Sequence, residues 1–141
     1  MATKVKRITL WRAEVQDRSG ALAEMLEPLA AAKGSMQAVM AYRQPGDTTR
    51  AVVEVWPISG RKLSLKAEGA GLRPASLPAL LVSGPDKSGV GYKMARAVAD
   101  AGISMTFLIA QVVGRSYSAV LGFDSDEACG QAAKLIARAL R

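Results

Sequence analysis

The alternation of apolar and polar positions over residues 6–56 predicts a strand, a helix and a β-hairpin, in that order. Ile8 and Leu10 alternate with their neighbours, which is the period of an extended strand. Four large apolar residues then recur at three- and four-residue spacing, which is typical of a helix with one buried face. Gly34 is the expected stop for that helix, and a run of turn-forming residues separates two further strands. The predicted spans are 6–15 for the first strand, 21–33 for the helix, and 35–43 with 50–56 for the hairpin.

The same order of periodicities returns in the second half of the chain. Gly102 is the expected stop of the first helix there, and Asp124 or Ser125 is the expected cap of the last one. The predicted spans are 79–83 for a strand, 90–101 for a helix, 104–113 with 117–123 for a hairpin, and 126–140 for a final helix.

Strand-helix-strand-strand-helix, given twice, indicates an α+β protein of two ferredoxin-like βαββαβ repeats with antiparallel sheets. In the first repeat, residues 59–72 form a weaker helix interrupted by two glycines, and residues 73–76 contain a proline, which suits an edge strand. The second repeat lacks its own final strand, so residues 2–5 are the segment expected to cover its open edge. The predicted domains are 1–76 and 77–141.

A short motif occurs twice at a fixed distance along the chain. Residues 17–20 read Asp-Arg-Ser-Gly, and residues 86–89, which lie 69 positions later, read Asp-Lys-Ser-Gly. The same offset carries the pair Ser35-Met36 onto Ser104-Met105. Because chance would not preserve the intervening length, the two blocks indicate an internal duplication.

The composition excludes several kinds of chemistry. The chain has no histidine and one cysteine, so the usual zinc sites and Ser-His or Cys-His nucleophile pairs cannot be assembled from it. Cys129 falls on the apolar face of the last predicted helix, and we expect it to be a small buried hydrophobe. Residues 84–94 approach two phosphate-binding glycine patterns, but each breaks at a residue that the pattern requires. We therefore expect no metal, no cofactor and no catalytic residues.

The formal charge of +7 raises nucleic acid as a partner, and a nucleic-acid-binding pair of ferredoxin-like domains is the alternative reading. The basic residues are scattered, however, and only 5% of the chain is aromatic, which disfavours a base-stacking surface. No apolar run approaches the roughly 20 residues that cross a bilayer. The N-terminal residues lack the apolar stretch of a secretion signal, and the single cysteine fits a reducing compartment. These features predict a cytoplasmic protein without a membrane partner.

The passages QDRSGAL and GPDKSGV resemble the Asp-x-x-Gly signature of ACT domains, which are small ligand-sensing modules. The second passage is especially similar to the ACT repeats of the glycine cleavage repressor and formyltetrahydrofolate deformylase. The resemblance covers residues 6–140 as two tandem units. The family often has proline before the glycine, where this chain has Ser19 and Ser88, and this departure leaves the identity of the ligand open.

The resemblance implies a regulatory protein rather than an enzyme. ACT domains typically pair side by side through their sheets and hold an amino acid at the seam between domains. By that resemblance, we expect the protein to bind an amino acid or a similar small carboxylate. The sheet edge left unpaired by the missing final strand, in turn, predicts a homodimer. A partner enzyme or regulator would then respond to whether the ligand is bound.

Independently of the resemblance, the repeated motif is suited to binding a small zwitterion. Gly20 and Gly89 allow a tight turn and a close approach by a ligand. The free N–H groups of the following helical turn and the helix dipole attract an α-carboxylate, to which Arg18 or Lys87 adds charge. The motif aspartates or the nearby strand-start carbonyls then bind the α-ammonium. The predicted ligand-binding residues are Asp17, Arg18, Ser19, Gly20, Ala21, Leu22, Ser35, Met36, Asp86, Lys87, Ser88, Gly89, Val90, Ser104 and Met105.

Structural explanations of the same residues stand beside this one. Asp17 and Asp86 are also suited to capping their helices, with glycine present only for the turn. Met36 and Met105 suit core packing. A docking module of the same fold without a ligand is a further reading. A catalytic pair of the two aspartates is disfavoured, because no nucleophile or substrate-positioning group accompanies them.

Overall fold

The computed structural model describes residues 3–141, which form two compact units. One unit is Thr9–Ala75, and the other joins residues 3–8 to Ser76–Arg141. Residues 3–8, which were predicted to belong to the first domain, therefore belong to the second unit. The elements in chain order are β1 (Lys4–Ile8), β2 (Trp11–Gln16), α1 (Ala21–Ala31), β3 (Ala38–Gln44), β4 (Asp47–Trp56), α2 (Arg61–Gly69), β5 (Arg73–Pro74), β6 (Ala79–Pro85), α3 (Val90–Asp100), β7 (Phe107–Val113), β8 (Ser116–Gly122) and α4 (Asp126–Ala139).

Each unit has one four-stranded antiparallel sheet, and the two sheets have equivalent strand orders. The order is β3-β4-β2-β5 in the first unit and β7-β8-β6-β1 in the second. Both units are thus ferredoxin-like, as the pattern of elements predicted. The fourth strand follows the second helix in the first unit, whereas β1 takes the fourth place in the second unit.

The N-terminal strand closes the sheet edge that the sequence left open. β1 pairs antiparallel with β6, from Lys4 opposite Ser83 to Ile8 opposite Ala79. The single strand predicted over residues 6–15 was wrong, because the chain leaves one sheet after Ile8 and enters the other at Trp11. An ion pair between Arg7 and Asp126, the first residue of α4, adds a further link between β1 and its unit.

Alternate residues of each sheet pack against that unit's two helices, which is the expected period-two burial. Met36 packs against the first core and Met105 against the second, as the structural explanation of these residues predicted. The first core is Trp11, Ala13, Met25, Leu29, Val53, Val55, Ala67 and Leu72. The second core is Leu80, Val82, Met94, Val98, Tyr117, Ala119, Leu121, Phe123, Cys129, Ala132 and Ile136.

The two equivalent helices α1 and α3 end in the same backbone motif with different residues. The N–H groups of Lys33 and Gly34 donate to the carbonyls of Ala30 and Leu29, at 2.9 Å each, and close a Schellman motif. The left-handed residue in it is Lys33, with φ 60°, and the prediction that Gly34 stops the helix was wrong. In α3 that position is Gly102, with φ 72°, as predicted.

The helices α2 and α4 begin differently. The Ser125 hydroxyl accepts from Ala128 N at 3.1 Å, so Ser125 caps α4. Two acidic residues follow in its first turn, where their negative charges interact favourably with the positive end of the helix dipole. α2 begins after Gly60 without a side-chain cap and ends at Gly69, short of the predicted 59–72.

Candidate functional site

The two repeated motifs form the same turn at the start of the first helix of each unit. The Ala21 N–H donates to the Arg18 carbonyl at 3.2 Å, and the Val90 N–H donates to the Lys87 carbonyl at 3.3 Å. Gly20 has φ 86° and ψ −8°, and Gly89 has φ 84° and ψ 6°. These are the angles of the third residue of a type II turn, which an L side chain adopts only with strain. The glycine is therefore required by the turn itself.

Neither aspartate caps its helix. The N-cap residues of α1 and α3 are Gly20 and Gly89. The Asp17 carboxylate accepts from Arg43 of β3, and among the described residues the Asp86 carboxylate accepts no hydrogen bond from its helix. The intrahelical ladder of α1 begins where the Glu24 N–H donates to the Gly20 carbonyl at 3.0 Å. The N–H groups of Leu22 and Ala23 precede that bond, so they have no carbonyl partner within the helix. They are backbone donors at the positive end of the dipole.

Asp17 forms an ion pair with Arg43, which is not among the predicted site residues. Arg43 Nε donates to Asp17 Oδ2 at 2.7 Å. Arg43 lies opposite Ala51 of β4, and Ala51 lies opposite Val15 of β2, so one strand separates the arginine from the loop. Because Ala51 is small, the Arg43 side chain can cross that strand. The side chain of Asp17 is 28% exposed and that of Arg43 is 72% exposed, so both keep polar atoms in contact with solvent.

A hollow of about 160 Å³ adjoins this pair on the helix side of the first sheet. Small residues of the first turn and the sheet, including Ala21, Ala41 and Ala51, leave the space open. At roughly 30 Å³ per water, it offers the room of about five waters, which suits the head group of a small amino acid. Its lining residues are Val15, Gln16, Asp17, Arg18, Ala21, Leu22, Ala41, Tyr42, Arg43, Ala51 and Val53.

Arg18, in the turn before α1, pairs with an acid of that helix. Its two terminal nitrogens donate to the two carboxylate oxygens of Glu24, one of them at 3.1 Å. These hydrogen bonds and the opposite charges raise the pKa of Arg18 and lower that of Glu24. The pair also borders a larger open groove of about 640 Å³ between α1 and α2. Arg18 therefore brings little uncompensated charge to the loop, and Arg43 is the better-placed cation.

The second loop has the same turn with different charged partners. The position equivalent to Arg43 is Val112, at the same offset of 69 residues that relates the motifs. Asp86 is exposed, and it lacks the arginine that holds Asp17. The two loops are thus alike in backbone and unlike in chemistry.

The Ser-Met pairs lie away from the motif loops of their own units. Gln16 of β2 lies opposite Arg50 of β4, whereas Ala38, which follows the first Ser-Met pair, lies opposite Trp56. Six residues of strand separate these levels, a distance of about 20 Å. The same register holds in the second unit. Within a unit, therefore, the carbonyls of Ser35-Met36 or Ser104-Met105 cannot share a small ligand with the loop.

A second polar contact lies on strands β3 and β4 of the first unit. The Tyr42 hydroxyl donates to Glu54 Oε1 at 2.7 Å, and Glu54 is only 5% exposed. Burial, together with this acceptor and its charge, raises the pKa of Tyr42 to about 12. The phenol is therefore a neutral donor at physiological pH, and it satisfies a carboxylate that would otherwise be costly to bury.

The remaining reactive groups do not form a further centre. Cys129 is fully buried in the second core, and burial raises the pKa of its thiol, as expected of a structural cysteine. Among the described residues, no group of three or more acidic or cysteine side chains could hold a metal ion. Over residues 3–141, no helix combines the length and apolar character needed to cross a membrane.

Comparison with known proteins identifies the fold. No family model matches the chain, and no curated protein matches it. Protein BT0572 from Bacteroides thetaiotaomicron superposes with a TM-score of 0.76 at 13% identity, over 92% of this chain and 88% of that one. The ligand-free regulatory subunit of aspartate kinase from Thermus thermophilus has a TM-score of 0.65 at 15% identity, over 100% and 98%. The chain also matches Clostridium acetobutylicum aspartate kinase, with a TM-score of 0.57 at 12% identity, over 97% of this chain and 34% of that enzyme. At these identities the likeness shows the fold alone, which is the doubled ferredoxin-like fold.

Proposed function

We propose that this chain is a tandem ACT-type regulatory protein that binds an amino acid or a similar small carboxylate and signals to a partner enzyme or regulator. The observation that carries the proposal is the juxtaposition of Asp17, Arg43 and the uncapped start of α1 around one hollow. The fold shared with aspartate kinase regulatory subunits supports a regulatory rather than a catalytic role.

The first loop offers hydrogen-bond donors for the negative group of a zwitterion and a carboxylate for its positive group. The N–H groups of Leu22 and Ala23 and the Arg43 guanidinium are donors for the α-carboxylate. Asp17 accepts one hydrogen bond from Arg43 through Oδ2, which leaves Oδ1 for the α-ammonium. Gly20 has no side chain, which leaves the backbone of the turn open to approach. We assign the amino-acid site to the first loop, because Val112 replaces the arginine in the second.

We also propose a homodimer, but one that forms through a different sheet edge from the one the sequence indicated. The open edge expected beside β6 is occupied by β1. The strands that now lie at the sheet edges with a long free side are β3 and β7. β7 is the more apolar of the two, with Leu108, Ile109, Val112 and Val113 between 38% and 70% exposed. An exposed apolar edge strand of this length is suited to pairing with a second copy.

Isothermal titration calorimetry across the amino acids tests ligand binding. We expect saturable binding of at least one amino acid, and loss of binding in the variant Ala41→Leu, because the larger side chain fills the hollow. The matched control is Ala110→Leu, the equivalent exposed position of the second unit, which should bind as the wild type does. Removing the charge with Arg43→Gln should weaken binding roughly tenfold or more, in line with the loss of a charge-assisted hydrogen bond.

Two results would contradict the proposal. One is the absence of heat with every amino acid at millimolar concentration in a protein shown to be folded. The other is binding that Ala41→Leu and Ala110→Leu reduce equally, since that would place the ligand elsewhere.

A further inference from the structure

The two repeats differ in charge at one pair of equivalent positions beside their motif loops. In the first unit, Arg18 and Glu24 form an ion pair across the start of α1. The equivalents 69 residues later are Lys87 and Lys93, so the acid is replaced by a second cation. The described residues give neither lysine an acidic partner within ion-pair distance, and both side chains are exposed. Two like charges placed together without a counterion repel each other, and an anion between them removes that cost.

These lysines line a hollow of about 230 Å³ in the second unit, between the start of α3 and the end of α4. A third cation, Arg141, lines the same hollow, and no aspartate or glutamate of the described residues does. The first turn of α3 begins at Val90, also in the lining, so the positive end of that helix dipole faces the same space.

Two hydroxyl groups complete the lining. Tyr117 is 5% exposed, and its hydroxyl lies 3.4 Å from Thr3 Oγ1. Thr3 Oγ1 donates to the Leu140 carbonyl at 3.3 Å, so Tyr117 is the donor in its contact with Thr3. At 3.4 Å that hydrogen bond is long and leaves the phenol weakly satisfied. The ring is placed by Gly84, where a Cβ would come within 3.2 Å of Tyr117 Cε1 and of Thr3 Cα. The absence of a side chain at Gly84 leaves room for the Tyr117 ring, which lines the hollow.

We propose that this hollow binds a dianionic phosphate group, free or as a monoester. Three cations and the Tyr117 hydroxyl, as a hydrogen-bond donor, suit a multiply charged oxyanion. They suit an amino acid less well, because no side chain of the lining offers a carboxylate for the α-ammonium. The site therefore differs in ligand class and in unit from the amino-acid site at Asp17, and it does not depend on that proposal.

Titration with inorganic phosphate at low ionic strength, followed by amide chemical shifts in ¹H–¹⁵N spectra of the full chain, tests the site. We expect saturable shifts at Lys87, Val90 and Lys93. The variant Lys93→Glu restores the charge pair of the first repeat and should weaken phosphate binding roughly tenfold or more. The control Lys62→Glu makes the same change of net charge at an exposed position in the other unit, and should alter the affinity less than about twofold.

Two further titrations and one further variant test which chemical group the hollow binds. Acetate should bind at least about tenfold more weakly than phosphate, and Tyr117→Phe should weaken phosphate binding several-fold while keeping the ring in the core. A methyl phosphate titration distinguishes a monoester from the free ion. The proposal is overturned if phosphate gives no saturable shifts at these residues, if Lys93→Glu binds as the wild type does, or if Lys62→Glu loses as much affinity as Lys93→Glu. None of these outcomes alters the amino-acid proposal, which is read at Asp17 and Leu22.

Discussion

The left-handed residue at the end of α1 shows how a single position can oppose its own local preference. Lys33 adopts φ 60° because the Schellman hydrogen bonds to Ala30 and Leu29 require it there. A side chain in this conformation costs roughly 1–2 kcal/mol, which glycine avoids. The equivalent position in the second unit is Gly102. Gly34 was the predicted stop of α1, because glycine is the usual residue at such a position, but the left-handed residue lies one position earlier.

We expect Lys33→Gly to increase the free energy of unfolding by about 1 kcal/mol, because it removes the left-handed strain. The reciprocal variant Gly102→Lys should decrease it by a similar amount. Urea denaturation followed by circular dichroism measures both. A shift of the two variants in the same direction, or no gain in Lys33→Gly, would show that the left-handed backbone is not the source of the difference.

Arg43 is the residue of the candidate site that could not be predicted from the sequence. It lies outside both motifs, and its match in the second repeat is Val112, so the duplication gives no indication of its role. Its partnership with Asp17 depends on the register of β2, β4 and β3 and on the small residue Ala51 between them. Glycine in the turn and free amides after it, by contrast, follow directly from the motif and are found in the structure.

At the scale of elements, most helices and strands could be predicted because their hydrophobic periods are local. β1 was the exception, since alternation continues through Ile8 and Leu10 while the chain passes from one sheet to the other. No local pattern distinguishes one long strand from two short ones in different sheets. The open sheet edge of the second repeat predicted the position of β1 better than the alternation did, because an unpaired edge beside a buried strand requires a partner. The partner is β1, three residues longer at its C-terminal end than the predicted 2–5 segment.

The exposed edge strand β7 gives a prediction at the same scale. Charged residues at a sheet edge oppose pairing, so the double variant Ile109→Lys, Val112→Lys should be monomeric under conditions in which the wild type is a dimer. Sedimentation equilibrium measures the change. A control with the same charge added at Leu65 and Leu77, which are 55% and 47% exposed outside β7, should remain dimeric. A wild type that stays monomeric at high concentration would contradict the homodimer, and dissociation of both variants would contradict the role of β7.

At the scale of the whole molecule, duplication explains the fold and divergence explains the chemistry. The two units share a sheet order, a type II turn and a helix-end motif, while Asp17–Arg43 and Lys87–Lys93 distinguish them. Among the described residues, few aromatic side chains are left for the stacking surface that nucleic-acid binding would need. Trp11 and Phe123 lie in the two cores, and Tyr42 is bonded to Glu54. The net charge of +7 therefore does not by itself indicate a nucleic-acid partner.

The most direct test of the account is a crystal structure of the protein grown with the amino acid that calorimetry selects. We predict that the ligand lies beside Asp17, with its carboxylate on the N–H groups of Leu22 and Ala23 and on Arg43, and its ammonium on Asp17 Oδ1. Density for the amino acid at any other place, with the hollow beside Asp17 still open, would contradict the central claim.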